Sequence, residues 1–206
     1  MDVFPKEGFP NVTTSNYAQI RDTIKSGDLL FASGNSMMSS MIKGATNSVW
    51  SHVAFIVRLE IMDRIMVMES VETLGVRTVP LSNYVQNYNG SGKAYPGKLM
   101  LARYQNFPSD SISNLSKPAI DLLGYPYNTD EILKIASRIG MDAFGFDKTS
   151  PEVVSQHALI CSEYVSICYK SVGITIDYNP QGFIAPADFA RSPEVKPMCF
   201  IATEQA

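Results

Sequence analysis

The segment ALICSEYVSICYKSVG (158–173) restricts this chain more than any other. Counted from Cys161, the residues Tyr164, Val165, Cys168, Tyr169 and Val172 recur at +3, +4, +7, +8 and +11, the period of a helix with one buried face. Gly173 stands where such a helix stops. The helical pattern is the strongest in the chain and runs over 152–172. Cys161 begins the apolar stripe and therefore points inward. A one-sided helix needs a layer to lie on, and short extended segments supply it.

The apolar run Leu29–Ala32 follows the turn Gly27-Asp28 and reads as a strand. SHVAFIV (51–57) and RIMVMES (64–70) alternate around β-branched residues and are spaced for an antiparallel hairpin. VRTVPL (76–81) is a third extended piece, limited by Pro80, and KLMLARY (98–104) is another strand. Helices are expected around 17–24, after Asn35 or Ser36 through Ile42, over 112–124 up to Gly124, and over 130–139. Residues 82–98 read as a polar connection with a turn at Asn89–Gly92. The tail from Gly173 reads as turns and short strands, with GFIAPADFA at 182–190 and a last strand near 198–202. Helices before and after a run of strands give an α+β class with an antiparallel sheet.

Composition removes several functions. Lys+Arg 17 against Asp+Glu 20 gives a formal charge of −3, and the pI is near 5.4, so the basic face of a nucleic-acid binder is missing. At 45% hydrophobic and 18% charged, the chain can close a core. Its apolar runs fall far short of the roughly 18–20 residues of a membrane span. The start, MDVFPKEGFPNVTTSNY, lacks a basic region, an apolar block and a small-residue cleavage site, so a cytoplasmic location is expected. The sequons at Asn11, Asn89 and Asn114 are then chance. One domain over 1–206 is expected, with 1–25 as an N-terminal extension. No repeat, phosphate loop, G-x-S-x-G elbow, HExxH or EF-hand is present.

Three cysteines, Cys161, Cys168 and Cys199, cannot all pair within one chain. Cys161 and Cys168 lie about 10 Å apart along a helix, beyond the roughly 7 Å a disulfide spans. Each thiol is core filler or a reactive group. A thiol at a helix N-terminus stands in the positive end of the backbone dipole, which favours a thiolate and offers N–H groups to an oxyanion. Cys161 occupies that position. Cys168, two turns on, and Cys199, in a terminal strand, are read as structural.

A nucleophilic thiol needs a base, and the histidines are His52 and His157. His157 shares a face with Cys161 only if the helix already includes 157; as a pre-helical residue it is solvated. With Cys161 it offers a metal site as a third possibility, resting on two ligands without further spacing partners. His52 opens the strand 51–57. A two-residue loop at 60–61 sets Glu69 opposite His52; a four-residue loop at 60–63 sets it opposite Ala54, diagonal to His52. Both registers put Glu69 on the His52 face and Glu72 on the other. A carboxylate between Met66, Met68 and other apolar residues either faces solvent or orients an imidazole.

In this order, SHVAFIV, then MES, then ICSEYV, the chain resembles the circularly permuted papain-like hydrolases, the permuted NlpC-type group, and within it the YiiX-like branch. IKSGDLLFASGNSMMSSMIK, LLGYPYN and FIAPADFA extend the resemblance from about Gly27 to Asp188. It implies a permuted papain-like fold: an antiparallel sheet or barrel packed on a helix with the cysteine at its N-terminus. It implies a Cys161 nucleophile, a His52 base and a Glu69 orienter, with the Cys161 backbone N–H holding the oxyanion. Tyr127, and Ser51 beside the base, are candidates for lining the substrate site. No cofactor or metal is implied, and the partner is a peptide, cell-wall peptide or lipid substrate. A thiol amidase or esterase is the expectation. A lipid acyltransferase or phospholipase of the lecithin–retinol acyltransferase type, and a non-catalytic binding module on the same fold, are its rivals. The stretch between Tyr127 and Cys161 is an insertion relative to the family.

Overall fold

The computed structural model describes residues 12–130, 132, 134, 158–180 and 182–203. In chain order its elements are β1 (Thr14–Ser15), α1 (Tyr17–Ile20), β2 (Asp28–Ser33), α2 (Met37–Thr46), β3 (His52–Leu59), β4 (Arg64–Val71), β5 (Gly75–Pro80), α3 (Leu81–Gln86), β6 (Lys98–Tyr104), α4 (Ile112–Asp121), α5 (Cys161–Lys170), α6 (Pro186–Arg191) and β7 (Val195–Ile201). The strands form one open sheet of seven, ordered β1-β7-β6-β2-β3-β4-β5. Every pairing is antiparallel except β1 with β7. The class is α+β, and the sheet does not close into a barrel.

Alternation along the strands makes two apolar faces. Leu29, Phe31, Val53, Phe55 and Met68 meet Tyr164, Val165, Cys168 and Tyr169 of α5. Leu30, Ala32, Ala54, Ile56 and Val67 meet Leu81, Tyr84 and Val85 of α3. The α5 face carries two phenols into the core, and each donates to a carbonyl: Tyr164 to Ala119 O at 2.9 Å and Tyr169 to Gly27 O at 2.6 Å. Buried hydroxyls need such partners, and these fix the helix against α4 and the start of β2.

Several expectations are corrected. Helix α5 begins at Cys161, and 158–160 are not helical; of the expected helix 152–172, residues 152–157 lie outside the described residues. Most of the expected helix 130–139 lies outside them too. The polar connection 82–98 contains α3 and a 3₁₀ turn at Tyr88–Gly90, because Leu81, Tyr84 and Val85 have a sheet face to cover. FIAPADFA contains a helix, α6, with Pro186 at its first position and Asp188 accepting from Ala185 N at 2.8 Å. Gly27-Asp28 is a structural device here. Asp28, almost fully buried, takes a bidentate grip from Arg103 at 2.6 and 2.8 Å and accepts from Lys25 N.

Gly75 shows how the site's walls are brought together. Its φ is +72°, and a Cβ there would sit 2.0 Å from Tyr125 O. The missing side chain lets 124–126 run against β5, where Val76 N donates to Tyr125 O at 2.8 Å and Gly124 N to Val76 O at 3.0 Å. Pro126 O then accepts from Leu159 N at 3.0 Å. The Tyr127 segment and the approach to Cys161 are thereby laid side by side.

Candidate active site

The hairpin register is set by Leu59 opposite Arg64 and Phe55 opposite Met68, with 60–63 as its loop. One further step sets Glu69 beside Ala54, diagonal to His52: the four-residue alternative. His52 is the first residue of β3, paired with Ala32 of β2. Its Nε2 lies 2.8 Å from Glu69 Oε2. Nδ1 is the ring nitrogen not taken by Glu69, and Cys161 is near enough to the ring to favour its cation. Cys161 belongs to the α5 side of the sheet and Glu69 to the strand neighbourhood of Ala54 and Tyr84, so an imidazole at the strand's end joins groups from both sides.

Glu69 has no solvent exposure, whereas the His52 side chain is 15% exposed. A lone carboxylate there would be driven toward neutrality. Three donors counter this. Besides His52, Arg77 Nε reaches Oε1 at 2.8 Å and the Tyr84 hydroxyl reaches Oε2 at 2.5 Å. Burial pushes the Glu69 carboxyl up, but the hydrogen bond and charge of His52, then Arg77 and Tyr84, outweigh it and hold the group below the ordinary carboxylate range. Burial likewise opposes the His52 cation. The influence of Cys161, then the hydrogen bond to Glu69 and the charge of each, prevail and push the imidazole up to about 10.

The loop before α5 is pinned. Ser70, the residue after Glu69, donates from its buried hydroxyl to Leu159 O at 2.7 Å. At the helix start Glu163 accepts from Ile160 N at 2.9 Å, and Ser162 donates to Ile184 O at 2.7 Å. A cleft of about 250 Å³ opens beside His52, walled by Met38, Glu72, Arg77, Tyr88, Tyr95 and Tyr127. Tyr127 feels burial first and then the negative charges of Cys161, Glu72 and Glu163, which raise its phenol well above the usual value. Beyond Cys161 lies a small apolar cavity, about 20 Å³, lined by Met41, Ile42, Ile160, Phe183 and Pro186 among others.

His52 and Glu69 are thus hydrogen-bonded, Cys161 acts on the same ring, and Tyr127 and Ser51 line the cleft beside His52. The Ser51 hydroxyl is engaged with the backbone, accepting from Gly34 N at 2.9 Å and donating to Ala32 O at 3.3 Å. His157 lies outside the described residues. Cys168 is in the core, its thiol pushed up to about 12 by burial, and Cys199 is buried on the other face. Arg77, Tyr84 and Ser70 escaped the sequence reading. Arg77 had a signal: on the neighbouring strand it stands directly opposite Glu69. Tyr84 had none, because it comes from a helix hidden in an apparently polar loop.

Among the described residues, no group of three or more His, Cys, Asp or Glu side chains is arranged to hold a metal ion. No helix among them is long and apolar enough to cross a membrane. The family model for the permuted papain-like amidases of the YaeF/YiiX type, family C92, matches residues 23–196. Of solved structures, the protein described as metalloprotein yiiX from Escherichia coli O157:H7 is similar to 89% of this chain and 99% of its own, with a TM-score of 0.59 and 19% identity. No curated protein matches the chain.

Proposed function

Because this chain belongs to the family of permuted papain-like amidases, we propose that it is a cysteine hydrolase that opens an amide or ester bond with Cys161, His52 and Glu69. The observation that carries the proposal is a single imidazole whose Nε2 lies 2.8 Å from a fully buried carboxylate and whose cation is favoured by the neighbouring Cys161.

The thiol proton passes to His52, whose cation is favoured by both partners. The sulfur adds to the substrate carbonyl carbon, and its electron pair moves onto oxygen. The first N–H groups of α5 have no intrahelical acceptor by helix geometry, so that of Cys161 is available to the oxyanion. Collapse breaks the bond to the leaving amine or alcohol, which takes the proton from His52, and a thioester remains. Water then gives a proton to His52 and its oxygen to the acyl carbon. The second collapse releases the acid and restores sulfur beside imidazolium. Glu69 stays ionised throughout and holds the ring in place.

Cys161→Ala is expected to lower turnover on the order of a thousandfold or more. Cys168→Ala, a change in the core, leaves turnover per folded molecule nearly intact. The reverse pattern would refute the assignment. Matched incubations with short peptides and with phospholipid vesicles, read by mass spectrometry, distinguish an amidase from a lipid-directed acyl transfer at the same thiol.

A further inference from the structure

We propose that Arg77 and Tyr84 are positioning residues that keep Glu69 ionised and unrotated behind His52, so that the triad acts as an anchored group of five side chains; this rests on the triad reading above. Glu69 divides its oxygens between separate tasks. Oε1 accepts from Arg77 at 2.8 Å, while Oε2 accepts from His52 at 2.8 Å and from Tyr84. With both ends occupied, the carboxyl group cannot turn without breaking a bond to a buried donor. Its plane then fixes the ring, and the ring fixes the line to the sulfur.

The two donors come from different elements, which makes the grip rigid. Arg77 is the cross-strand partner of Glu69 on β5, and Tyr84 projects from α3. The Arg77 guanidinium is held in turn by Asn89, whose Oδ1 accepts from Nη1 at 3.1 Å. Tyr84 is braced by ring contacts with Tyr88 at 5.0 Å and Tyr95 at 5.5 Å. An arginine that served only to cancel charge could point to solvent; this one is 17% exposed and directed inward.

The charged and titratable groups around Glu69 are His52 on β3, Arg77 on β5, Tyr84 on α3, Tyr88 and Tyr95 on the following connection, and Tyr164 on α5. His52 and Arg77 are the cations of this set. Without Arg77, burial has one fewer opponent, and Glu69 takes up a proton at higher pH. A neutral acid no longer supports the imidazolium, so the Cys161–His52 ion pair forms only at higher pH. Glutamine at 77 therefore slows the chemistry and moves its acid limb upward; lysine restores the charge but not the fork that fits Oε1 and Asn89 together.

The test compares wild type, Arg77→Gln, Arg77→Lys and Tyr84→Phe on p-nitrophenyl acetate, with rates normalised to reactive thiol. Arg77→Gln is expected to lower kcat at least about tenfold with little change in KM, and to raise the midpoint of the acid limb by about one pH unit. Arg77→Lys recovers part of both, and Tyr84→Phe moves the midpoint less. The pH midpoint of Cys161 alkylation by iodoacetamide, read by mass spectrometry, gives the same comparison without turnover. Equal midpoints in wild type and Arg77→Gln, with rates falling only as folded protein is lost, overturn the positioning role alone. A wild-type Cys161 inert to iodoacetamide at every pH overturns the triad and this inference with it.

Discussion

Replacing Glu69 with alanine tests the energetics of the site independently of any substrate. The carboxylate has no exposure and accepts from His52, Arg77 and Tyr84. Its removal leaves an arginine and an imidazole facing a hole, and a buried phenol without an acceptor. Breaking a buried ion pair from one side costs about 3–5 kcal/mol, and an orphaned neutral hydroxyl costs about 1–3 kcal/mol more. Arg77 and His52, at 17% and 15% side-chain exposure, can relax toward water, so the lower part of the combined range applies. The expectation is a loss of about 4 kcal/mol at neutral pH in urea unfolding, with an unchanged m-value. For a chain of this size that is a fall of roughly 8–16 °C in Tm. The loss has a pH signature. Glu69 is held below the ordinary carboxylate range, so its stabilisation is present above that range and disappears as pH falls through the folded-state value. The gap between wild type and variant must therefore narrow in acid. Adding Arg77→Met should return part of the loss, because the two changes act on one pair. A penalty under about 1 kcal/mol at neutral pH, or one that grows on acidification, would refute this account.

Other outcomes follow from the same geometry. His52 is raised to about 10, so the stability its cation confers is complete below the ordinary histidine range near 6.5 and is lost as pH rises through about 10; Tm of wild type should fall over that window more steeply than Tm of His52→Gln. Ser70→Ala deletes the hydrogen bond to Leu159 O, two residues before the thiol. Its expected cost is about 1–2 kcal/mol, together with a severalfold fall in Cys161 alkylation rate; an unchanged rate would show that the pin does not position the sulfur. Gly75→Ala brings a Cβ to 2.0 Å from Tyr125 O at a φ of +72° and should destabilise by about 2 kcal/mol or more, measurable by urea unfolding.

What the sequence made legible was what repeats locally. Strand β6 at 98–104 was legible as a short apolar segment, the hairpin of β3 and β4 follows from alternation, and the cysteine stripe of α5 follows from its 3.6 period. The hairpin placed Glu69 on the His52 face in either register, because a shift of two residues preserves side. It did not choose between the registers, since loop length alone decides that. The start of α5 was also hidden: Ala158, Leu159 and Ile160 suit a helix, and what holds them out of it is the pair of bonds from Leu159 to Pro126 and Ser70. Arg77, whose only signal was its cross-strand position, and Tyr84, which had none, were missed for a related reason. Their roles depend on a strand pairing and on a short helix whose apolar residues, Leu81, Tyr84 and Val85, are diluted by Ser82, Asn83 and Gln86.

Strand β7 occupies an interior slot, between β6 and the short parallel strand β1. On a ribosome the amino end of the protein is thus made long before anything exists for it to pair with. Until Val195–Ile201 emerge, β6 presents a bare row of amides and carbonyls that a neighbouring nascent chain can zip onto. Deletion of Val195–Ile201 should accordingly harm soluble yield more than deletion of Thr14–Ser15.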